Sequence, residues 1–254
     1  MRADVSIGII GTTDAGIVRA VAPRIERLGF SALWINDVPG GDSLDGLRAA
    51  ASVTEALRLA TGVIPLDRRP ASTLDLGGLP AARTILGIGS GRAEHPVRLV
   101  RDGVQALRES TTASIVVGAL GPRMRRLAVE HADGVLFNWL TPEVALAAAA
   151  EARFAASAAD APRPRVVLYV RTIADDDARP AIEQEVARYE SVPSYAANFE
   201  RLGIAAADAT VTDAAGLARF DVVDELVLRA ITPTNSLAEL ERFVEETARW
   251  RLQS

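Results

Sequence analysis

The sequence predicts an α/β fold, an eight-stranded parallel β/α barrel that forms a single domain over residues 1–254. Short runs rich in valine, isoleucine and leucine alternate with segments whose apolar residues recur at helical spacing. The strand-like runs are almost continuously apolar, as in a parallel sheet covered on both faces. A chain of 254 residues is long enough for one such barrel. An open doubly wound sheet is the structural alternative.

Eight runs are predicted as strands because they are short, apolar and bounded by glycine, proline or polar residues. In chain order they are Val5–Ile10, Ala32–Asp37, Leu59–Ile64, Thr84–Gly89, Ser114–Leu120, Gly134–Trp139, Arg165–Ile173 and Glu225–Ile231.

Helices are predicted between these strands. The first has apolar residues at helical spacing from Ile17 to Leu28 and ends at Gly29. The others are predicted over 44–57, 97–107, 122–131, 142–159 and 236–252, the last with Ser236 as N-cap and Glu239 three residues on. The connection after the third strand is a loop with a short helix after Pro70.

The longest connection covers residues 174–223. It is predicted to be helical over 179–189 and 194–202. We expect this helical elaboration to lie over the mouth of the barrel.

Composition excludes several kinds of chemistry. The chain has no cysteine, so thiolate nucleophiles, disulfides and iron–sulfur clusters are excluded. It also has no lysine: all 28 residues counted as lysine or arginine are arginine. Schiff-base chemistry and a phosphate-binding lysine are therefore excluded. Its two histidines are too few for a multi-histidine metal centre, and no metal site is predicted.

The charge and hydropathy pattern predicts a cytoplasmic protein whose partner is a small molecule. The formal net charge is -5 without any basic block, which argues against nucleic acid and anionic membrane surfaces. The N-terminal residues do not resemble a signal peptide, and no apolar run approaches the length needed to cross a membrane.

In β/α barrels the active site lies where the strands end and their following loops begin. Asp37 is the best candidate for an acid or base, since it is a carboxylate at the end of an apolar strand. The alternative is that Asp37 caps the turn at Pro39–Gly40.

Two glycine-rich loops predict an anion site, because each opens a helix and carries an arginine. They follow the fourth and fifth strands, as Gly89-Ser90-Gly91-Arg92 and Gly118-Ala119-Leu120-Gly121-Pro122-Arg123. The glycine spacing does not fit the dinucleotide-binding fingerprint. The alternative is that the glycines only permit tight turns.

Three further strand ends carry candidate substrate residues. Asn138 and Trp139 end the sixth strand, where they either line a flat aromatic ligand or belong to the rim of the core. Arg171 and Arg229 end the seventh and eighth strands, where each either faces the pocket and holds an anion or points outward into solvent.

An ordered set of motifs resembles the luciferase-like monooxygenase family. The motifs are Leu28-Gly29-Phe30 with Leu33-Trp34, Ala60-Thr61-Gly62-Val63, Leu86-Gly87-Ile88-Gly89-Ser90-Gly91, Gly118-Ala119-Leu120-Gly121-Pro122-Arg123, Ala132-Asp133-Gly134-Val135 and Asp224-Glu225-Leu226-Val227. Within the family the chain resembles the actinobacterial class that uses the deazaflavin coenzyme F-420, and flavin mononucleotide (FMN) is the other common cofactor.

The resemblance implies a cofactor ring across the strand ends, with its phosphate tail on Ser90, Gly91, Arg92, Ala119, Leu120, Gly121 and Pro122. It also implies a cis peptide between Gly62 and Val63, so that Thr61, Gly62, Val63 and Gly89 lie near the ring. Asp37 matches a position near the reactive face. Many relatives have histidine at the next position, where this chain has Val38.

The resemblance therefore implies hydride transfer to or from coenzyme F-420, with a small organic substrate, Asp37 as proton donor or acceptor, and a homodimer. An FMN monooxygenase supplied by a separate reductase is the first alternative. A cofactor-less barrel with a binding role is the second, and a metal-assisted hydrolase or lyase is the third.

Overall fold

A computed structural model describes residues 1–253 of the chain and confirms the predicted closed parallel barrel, a TIM barrel. β1 pairs with β2 and β10, and β10 pairs with β8, so the ring of eight strands is closed. The strands are β1 Asp4–Ile10, β2 Ala32–Asn36, β3 Arg58–Thr61, β4 Ile64–Pro65, β5 Thr84–Gly89, β6 Ser114–Gly118, β7 Gly134–Asn138, β8 Arg165–Thr172, β9 Thr210–Val211 and β10 Glu225–Ala230. The two-residue strands β4 and β9 only extend pairings at the rim.

Helices surround the barrel. They are α1 Ala15–Arg27, α2 Ser43–Ala51, α3 Pro96–Ser110, α4 Pro122–His131, α5 Pro142–Ala158, α6 Arg179–Glu190, α7 Pro193–Leu202, α8 Ala214–Arg219 and α9 Leu237–Gln253. Between β4 and β5 the chain forms only short 3-10 turns, at Ala71–Thr73 and Ala81–Arg83. No helix within residues 1–253 is both long and apolar enough to span a membrane.

Strand residues alternate between two cores, as the period of two in a β-strand requires. In β10, Leu226 and Leu228 pack outward against the helices, whereas Val227 belongs to the cluster inside the barrel. That inner cluster contains Ala32, Trp34, Ala60, Ile85, Val116, Leu136, Val167, Tyr169 and Val227. The barrel interior is therefore a packed core with polar residues at its two ends.

The lower end of the barrel is closed by one buried carboxylate. Glu225 accepts hydrogen bonds from Ser6 Oγ at 2.6 Å and from Trp34 Nε1 at 2.7 Å. Its second oxygen accepts from Arg165 Nε at 2.9 Å and lies 3.6 Å from Arg58 Nη2. One side chain of β10 thus contacts β1, β2, β3 and β8.

Two predicted elements differ most clearly from the structure. The third strand was predicted as Leu59–Ile64, but the chain is interrupted by the cis peptide between Gly62 and Val63 that the family resemblance implied. The second helix was predicted to reach residue 57 but ends at Ala51. It ends because Ser52 and Thr54 donate their hydroxyls back to the carbonyls of the last turn.

The predicted helices of the long connection are confirmed as α6 and α7. The rest of the connection contains a 3-10 turn, β9 and α8. β9 pairs with the end of β8 through Arg171 and Thr172, which fixes the connection at the upper end of the barrel.

Candidate functional site

The barrel mouth is the layer of inward-facing residues at the carboxyl ends of the strands. On one side, β5 and β6 present Gly87, Gly89 and Gly118, and the chain after β3 presents Gly62 and Val63. On the other side the mouth is lined by large polar side chains from β2, β7, β8 and β10, which are Asn36, Asn138, Tyr169, Arg171 and Arg229.

The glycines on the small side make room for Val63. A Cβ atom on Gly89 would lie 2.9 Å from Val63 Cγ2, and one on Gly118 would lie 3.2 Å from Val63 Cγ1. Thr61 contributes differently, because its hydroxyl is buried and donates to the carbonyl of Gly87 at 2.8 Å. The structure therefore brings Val63 and Gly89 together at the mouth, while Thr61 ties β3 to β5.

Asp37 lies at the mouth, but arginines hold its carboxylate. Arg68 donates to Oδ1 at 2.5 Å, and Arg69 forms an ion pair with Oδ2. Ser43 Oγ also donates to Oδ2 at 2.9 Å. The Asp37 side chain has no exposed surface. The carboxylate therefore orients two guanidinium groups.

The charge of Asp37 also affects Arg69. Burial acts to lower the pKa of Arg69, but the charges and hydrogen bonds of Asp37 and Asp42 raise it above its usual value. The segment that follows β4 is therefore fastened across the mouth to the end of β2 and the start of α2.

The loop predicted to bind phosphate after β5 is partly occupied by the protein's own carboxylate. Asp67 accepts the backbone N–H of Arg92 at 2.8 Å. Gly91 has φ of +60°, and a Cβ there would overlap the Asp67 carboxylate. Gly91 is required at this close approach, and the Arg92 amide is already engaged.

Next to this loop, the N-termini of α3 and α4 border an open cleft. We call it the interhelical cleft; it has a volume of about 790 Å³ and is lined by Glu94, His95, Pro96, Val97, Arg98, Arg101, Gly121, Pro122, Arg123 and Met124. Within residues 1–253, neither helix has a side-chain N-cap hydrogen bond. Both helix N-termini therefore keep free N–H groups at the edge of the cleft.

The charge of the interhelical cleft is mainly positive. Arg98 and Arg123 form no ion pair with any residue in 1–253, whereas Arg101 is paired with Asp102 at 3.2 Å. Glu94 is the only acidic residue in the described lining. Free arginines beside uncapped helix N-termini form a donor set that fits a phosphate group.

The second predicted phosphate loop joins the mouth to this cleft. Ala119 is buried and donates its N–H to the carbonyl of Leu136 at 3.0 Å. Gly121 is the N-cap residue of α4, and Pro122 occupies its first turn. Gly121 and Pro122 therefore line the cleft, while the amide of Ala119 belongs to the barrel. Leu120 lies between them and is half-buried.

Arg171 is enclosed by two aromatic rings, one amide and one carboxylate, so its side chain is not open to the mouth along its whole length. Its guanidinium carbon lies 4.2 Å from the ring centre of Trp139 and 4.6 Å from that of Tyr189. Nη1 donates to Asn138 Oδ1, and Nε lies 3.4 Å from Glu185 Oε1. Trp139 is fully buried with φ of +56°. These contacts join the ends of β7 and β8 to α6.

Tyr195 extends this cluster from α7. Its hydroxyl accepts a hydrogen bond from Asn138 Nδ2 at 3.0 Å. Burial raises the pKa of Tyr195 to about 12, so the phenol stays neutral. Phe199 packs edge-on against Trp139, with ring centres 6.3 Å apart.

Asn36 and Tyr169 were missed in the sequence, and Arg229 was named there only among alternatives. Asn36 Oδ1 accepts from Arg229 Nε at 2.8 Å and from Tyr169 Oη at 3.3 Å. Its Nδ2 donates to the carbonyl of Gly62 at 2.5 Å. Burial raises the pKa of Tyr169 well above its usual value. The alternation of inward residues would have indicated all three.

The comparisons with known proteins agree on a family of oxidoreductases. Residues 92–233 match the family model described as luciferase-like monooxygenase. A 5,10-methylenetetrahydromethanopterin reductase from Methanolobus tindarius is 29% identical over 162 residues, which cover 48% of this chain and 50% of that protein. The enzyme of the same name from Archaeoglobus fulgidus is 28% identical over 158 residues. The chain thus matches about half the length of these curated relatives.

Solved structures share the whole fold at low sequence identity. A coenzyme F-420-dependent tetrahydromethanopterin reductase from Methanopyrus kandleri has a TM-score of 0.71 at 16% identity, covering 97% of this chain and 98% of that one. An F-420-dependent secondary alcohol dehydrogenase has a TM-score of 0.73 at 14% identity, covering 98% of each chain. A type II Baeyer–Villiger monooxygenase from Pseudomonas putida, solved with FMN, has a TM-score of 0.66 at 12% identity, covering 96% of this chain and 97% of that one.

Proposed function

This chain belongs to the luciferase-like monooxygenase family, and we propose that it is an oxidoreductase that uses coenzyme F-420 for hydride transfer to or from a small organic substrate. Similar proteins include F-420-dependent enzymes and flavin monooxygenases. F-420 is preferred because two of the similar solved structures are named for it and the two curated relatives are reductases.

One observation carries the proposal. The interhelical cleft combines two helix N-termini that lack a side-chain N-cap with the guanidinium groups of Arg98 and Arg123, which have no ion-pair partner among residues 1–253. It opens beside the ends of β5 and β6, where the ends of the strands form the active site of a barrel of this kind. A phosphate tail on a ring-shaped cofactor would satisfy these donors while its ring reaches the mouth.

In this proposal the residues of the chain bind and orient. Gly121, Arg98 and Arg123 donate to the phosphate, Pro122 lines the same cleft without an N–H group to donate, and the segment Gly62–Val63 with Gly89 lines the ring end of the site. When bound, coenzyme F-420 supplies a hydride donor or acceptor. The aromatic cover formed by α6 and α7 limits the access of water to the mouth.

Asp37 keeps its place in the proposal as the candidate catalytic residue, with a narrower role. Because Arg68 and Arg69 hold its carboxylate, Asp37 would accept a proton only if one of these contacts opened. Otherwise it positions the two arginines beside the substrate. Asn138, Trp139 and Arg171 remain candidates for contacting the substrate, because together they form part of the rim of the mouth.

The test is a binding titration of the purified protein with F-420 and, separately, with FMN, followed by cofactor and tryptophan fluorescence. We expect binding of F-420 at micromolar concentration and weaker binding of FMN. A preference for FMN would replace the proposal with the flavin monooxygenase alternative. Binding of neither cofactor would overturn it in favour of a barrel with a binding role.

Gly121→Asp and Gly121→Asn form a matched pair for the phosphate site. A side chain at Gly121 meets no atom within 4 Å, its φ is -101°, and both residues are good N-caps. Only Asp adds a negative charge beside the phosphate. We expect Gly121→Asp to weaken F-420 binding at least tenfold and Gly121→Asn to weaken it less than threefold. Equal binding by both variants would place the phosphate elsewhere.

The proposed homodimer and cytoplasmic location also stay predictions. Size-exclusion chromatography with light scattering tests the first directly. The result does not bear on the cofactor assignment.

A further inference from the structure

We infer that Arg229 is the recognition residue for a carboxylate-bearing substrate inside the barrel mouth. This inference rests on the proposed function, because it assigns the substrate class of the same site. It goes beyond the cofactor assignment, which concerns the interhelical cleft.

The first observation is that Arg229 is buried without a counter-ion. Its residue surface is 5% exposed, and it forms no ion pair with any residue from 1 to 253. Nε donates to the neutral amide oxygen of Asn36 at 2.8 Å, and Nη1 donates to the carbonyl of Ala230. Buried guanidinium groups are normally paired with an anion.

The second observation is that one end of this guanidinium remains available. Nη2 of Arg229 has no hydrogen-bond partner in the described chain, and it is not among the atoms sealed from solvent. Asn36 fixes the Nε side, since its own amide is anchored on Gly62. The free end of the guanidinium therefore keeps some contact with solvent.

Neighbouring charges make the need for an anion greater. Arg171 is the register partner of Arg229 on the adjacent strand, so two cations lie side by side in the same layer. Burial lowers the pKa of Arg229 and the charge of Arg171 adds to this, against the opposing effects of Tyr169, Glu185 and Tyr189, although an arginine stays protonated. Glu185 contacts Arg171 at 3.4 Å and Arg188 at 2.5 Å, and it makes no contact with Arg229.

These observations select the chemistry of the ligand. The free N–H groups at the Nη2 end of Arg229 can donate charge-assisted hydrogen bonds to a carboxylate. Asp37 does not supply that carboxylate, because it is engaged by Arg68 and Arg69. An anionic oxygen on the cofactor ring would offer the same chemistry, and we assign the site to the substrate.

Benzoate and its neutral isostere benzamide test the assignment by isothermal titration calorimetry on the full chain, with and without bound F-420. We expect the wild type to bind benzoate at least tenfold more tightly than benzamide. Arg229→Gln should remove this preference, and Arg229→Lys should retain part of it. Arg19→Gln, an exposed arginine on α1, is the matched control and should behave as the wild type.

Several outcomes overturn the inference. Equal binding of benzoate and benzamide by the wild type does so without any variant, whether or not Arg229→Gln folds. Displacement of benzoate by F-420 would assign the anion site to the cofactor instead of the substrate. If Arg123→Gln loses the preference for benzoate while Arg229→Lys and Arg229→Gln both keep it, benzoate binds in the interhelical cleft.

The same titrations separate this inference from the proposed function. If F-420 and FMN both fail to bind while the protein still prefers benzoate to benzamide through Arg229, the proposed function fails and the anion site stands. If F-420 binds and the protein does not prefer benzoate to benzamide, the cofactor assignment stands and the proposed substrate class is wrong.

Discussion

At the scale of single residues, carboxylates do much of the positioning in this protein. Asp37 fastens Arg68 and Arg69, Asp67 occupies the amide of Arg92, and Glu26 caps the chain that leads into β3. The local sequence around each carboxylate marks it as polar and no more. Its partner lies tens of residues away, so its role depends on the folded chain.

Glu26→Gln is expected to destabilise the protein at neutral pH by about 1 kcal/mol, since a charged acceptor is replaced by a neutral one. Glu26 accepts the N–H groups of Glu55, Ala56 and Leu57 at 3.0, 2.7 and 2.7 Å. Burial acts to raise its pKa, but these hydrogen bonds and the charge of Arg83 hold the pKa below the usual value of 4.5.

The pH dependence follows from that direction. Because the pKa is lower in the folded state, the stabilisation by Glu26 is present above about pH 4.5 and is lost as the pH falls through the folded-state value. Urea unfolding should show a smaller difference between wild type and variant at pH 3 than at pH 7. Glu183→Gln, at an exposed position on α6, is the control. A constant difference at both pH values would contradict the expectation.

At the scale of elements, the long connection is attached to the barrel through Arg171. Its guanidinium lies between the rings of Trp139 and Tyr189, and two of its nitrogens contact Asn138 and Glu185. Helical periodicity predicted α6 and α7 within 179–189 and 194–202. Periodicity did not indicate that an arginine on β8 would hold these helices. It predicts where a helix forms, but not how that helix is oriented relative to β8.

Arg171→Met is expected to loosen α6 and α7 while leaving the barrel folded. Each desolvated cation–π contact contributes about 2 kcal/mol, so amide hydrogen exchange over residues 179–202 should accelerate about tenfold or more. Arg188→Met is the matched control, because Arg188 also contacts Glu185 and Tyr189 but is largely exposed. Faster exchange in β8 and β10 as well would mean that Arg171 stabilises the barrel itself.

At the scale of the whole molecule, closure of the barrel brings four strands to Glu225. Its fully buried carboxylate contacts Ser6, Trp34, Arg58 and Arg165. These residues come from distant parts of the sequence, and only the closed ring makes them neighbours. An open sheet would have left Glu225 without several of these partners.

Glu225→Gln is expected to lower the free energy of unfolding by about 3 kcal/mol, because it leaves two arginines without one of their counter-charges in a buried site. Guanidinium chloride unfolding measures the change, and the slope of the transition should stay the same. Glu109→Gln on the exposed face of α3 serves as control and should change stability by less than about 0.5 kcal/mol. A loss no larger than that of the control would show that the network contributes little.

The fold followed largely from patterns that are local in the chain. Apolar strand runs and the helical spacing between them predicted a parallel sheet buried on both faces, and the pairing of β10 with β1 shows that this sheet is a closed barrel rather than an open one. Of the predicted boundaries that differ from the structure, two were wrong for reasons that are local in the chain. Periodicity carried the second helix past Ala51, where hydroxyl groups compete for its carbonyls, and it ran the third strand through Gly62–Val63.

The site divides along the same line. Glycines, helix starts and strand ends predicted the cofactor and substrate candidates at one end of the barrel, because the carboxyl ends of parallel strands all lie at the same end. Tertiary structure decided which charges are already paired. Asp37 is held by two arginines, Arg171 is enclosed by rings, and Nη2 of Arg229 has no partner in the part of the chain that the structure describes. Pairing depends on distances between segments that barrel closure sets, and no local pattern of residues encodes those distances.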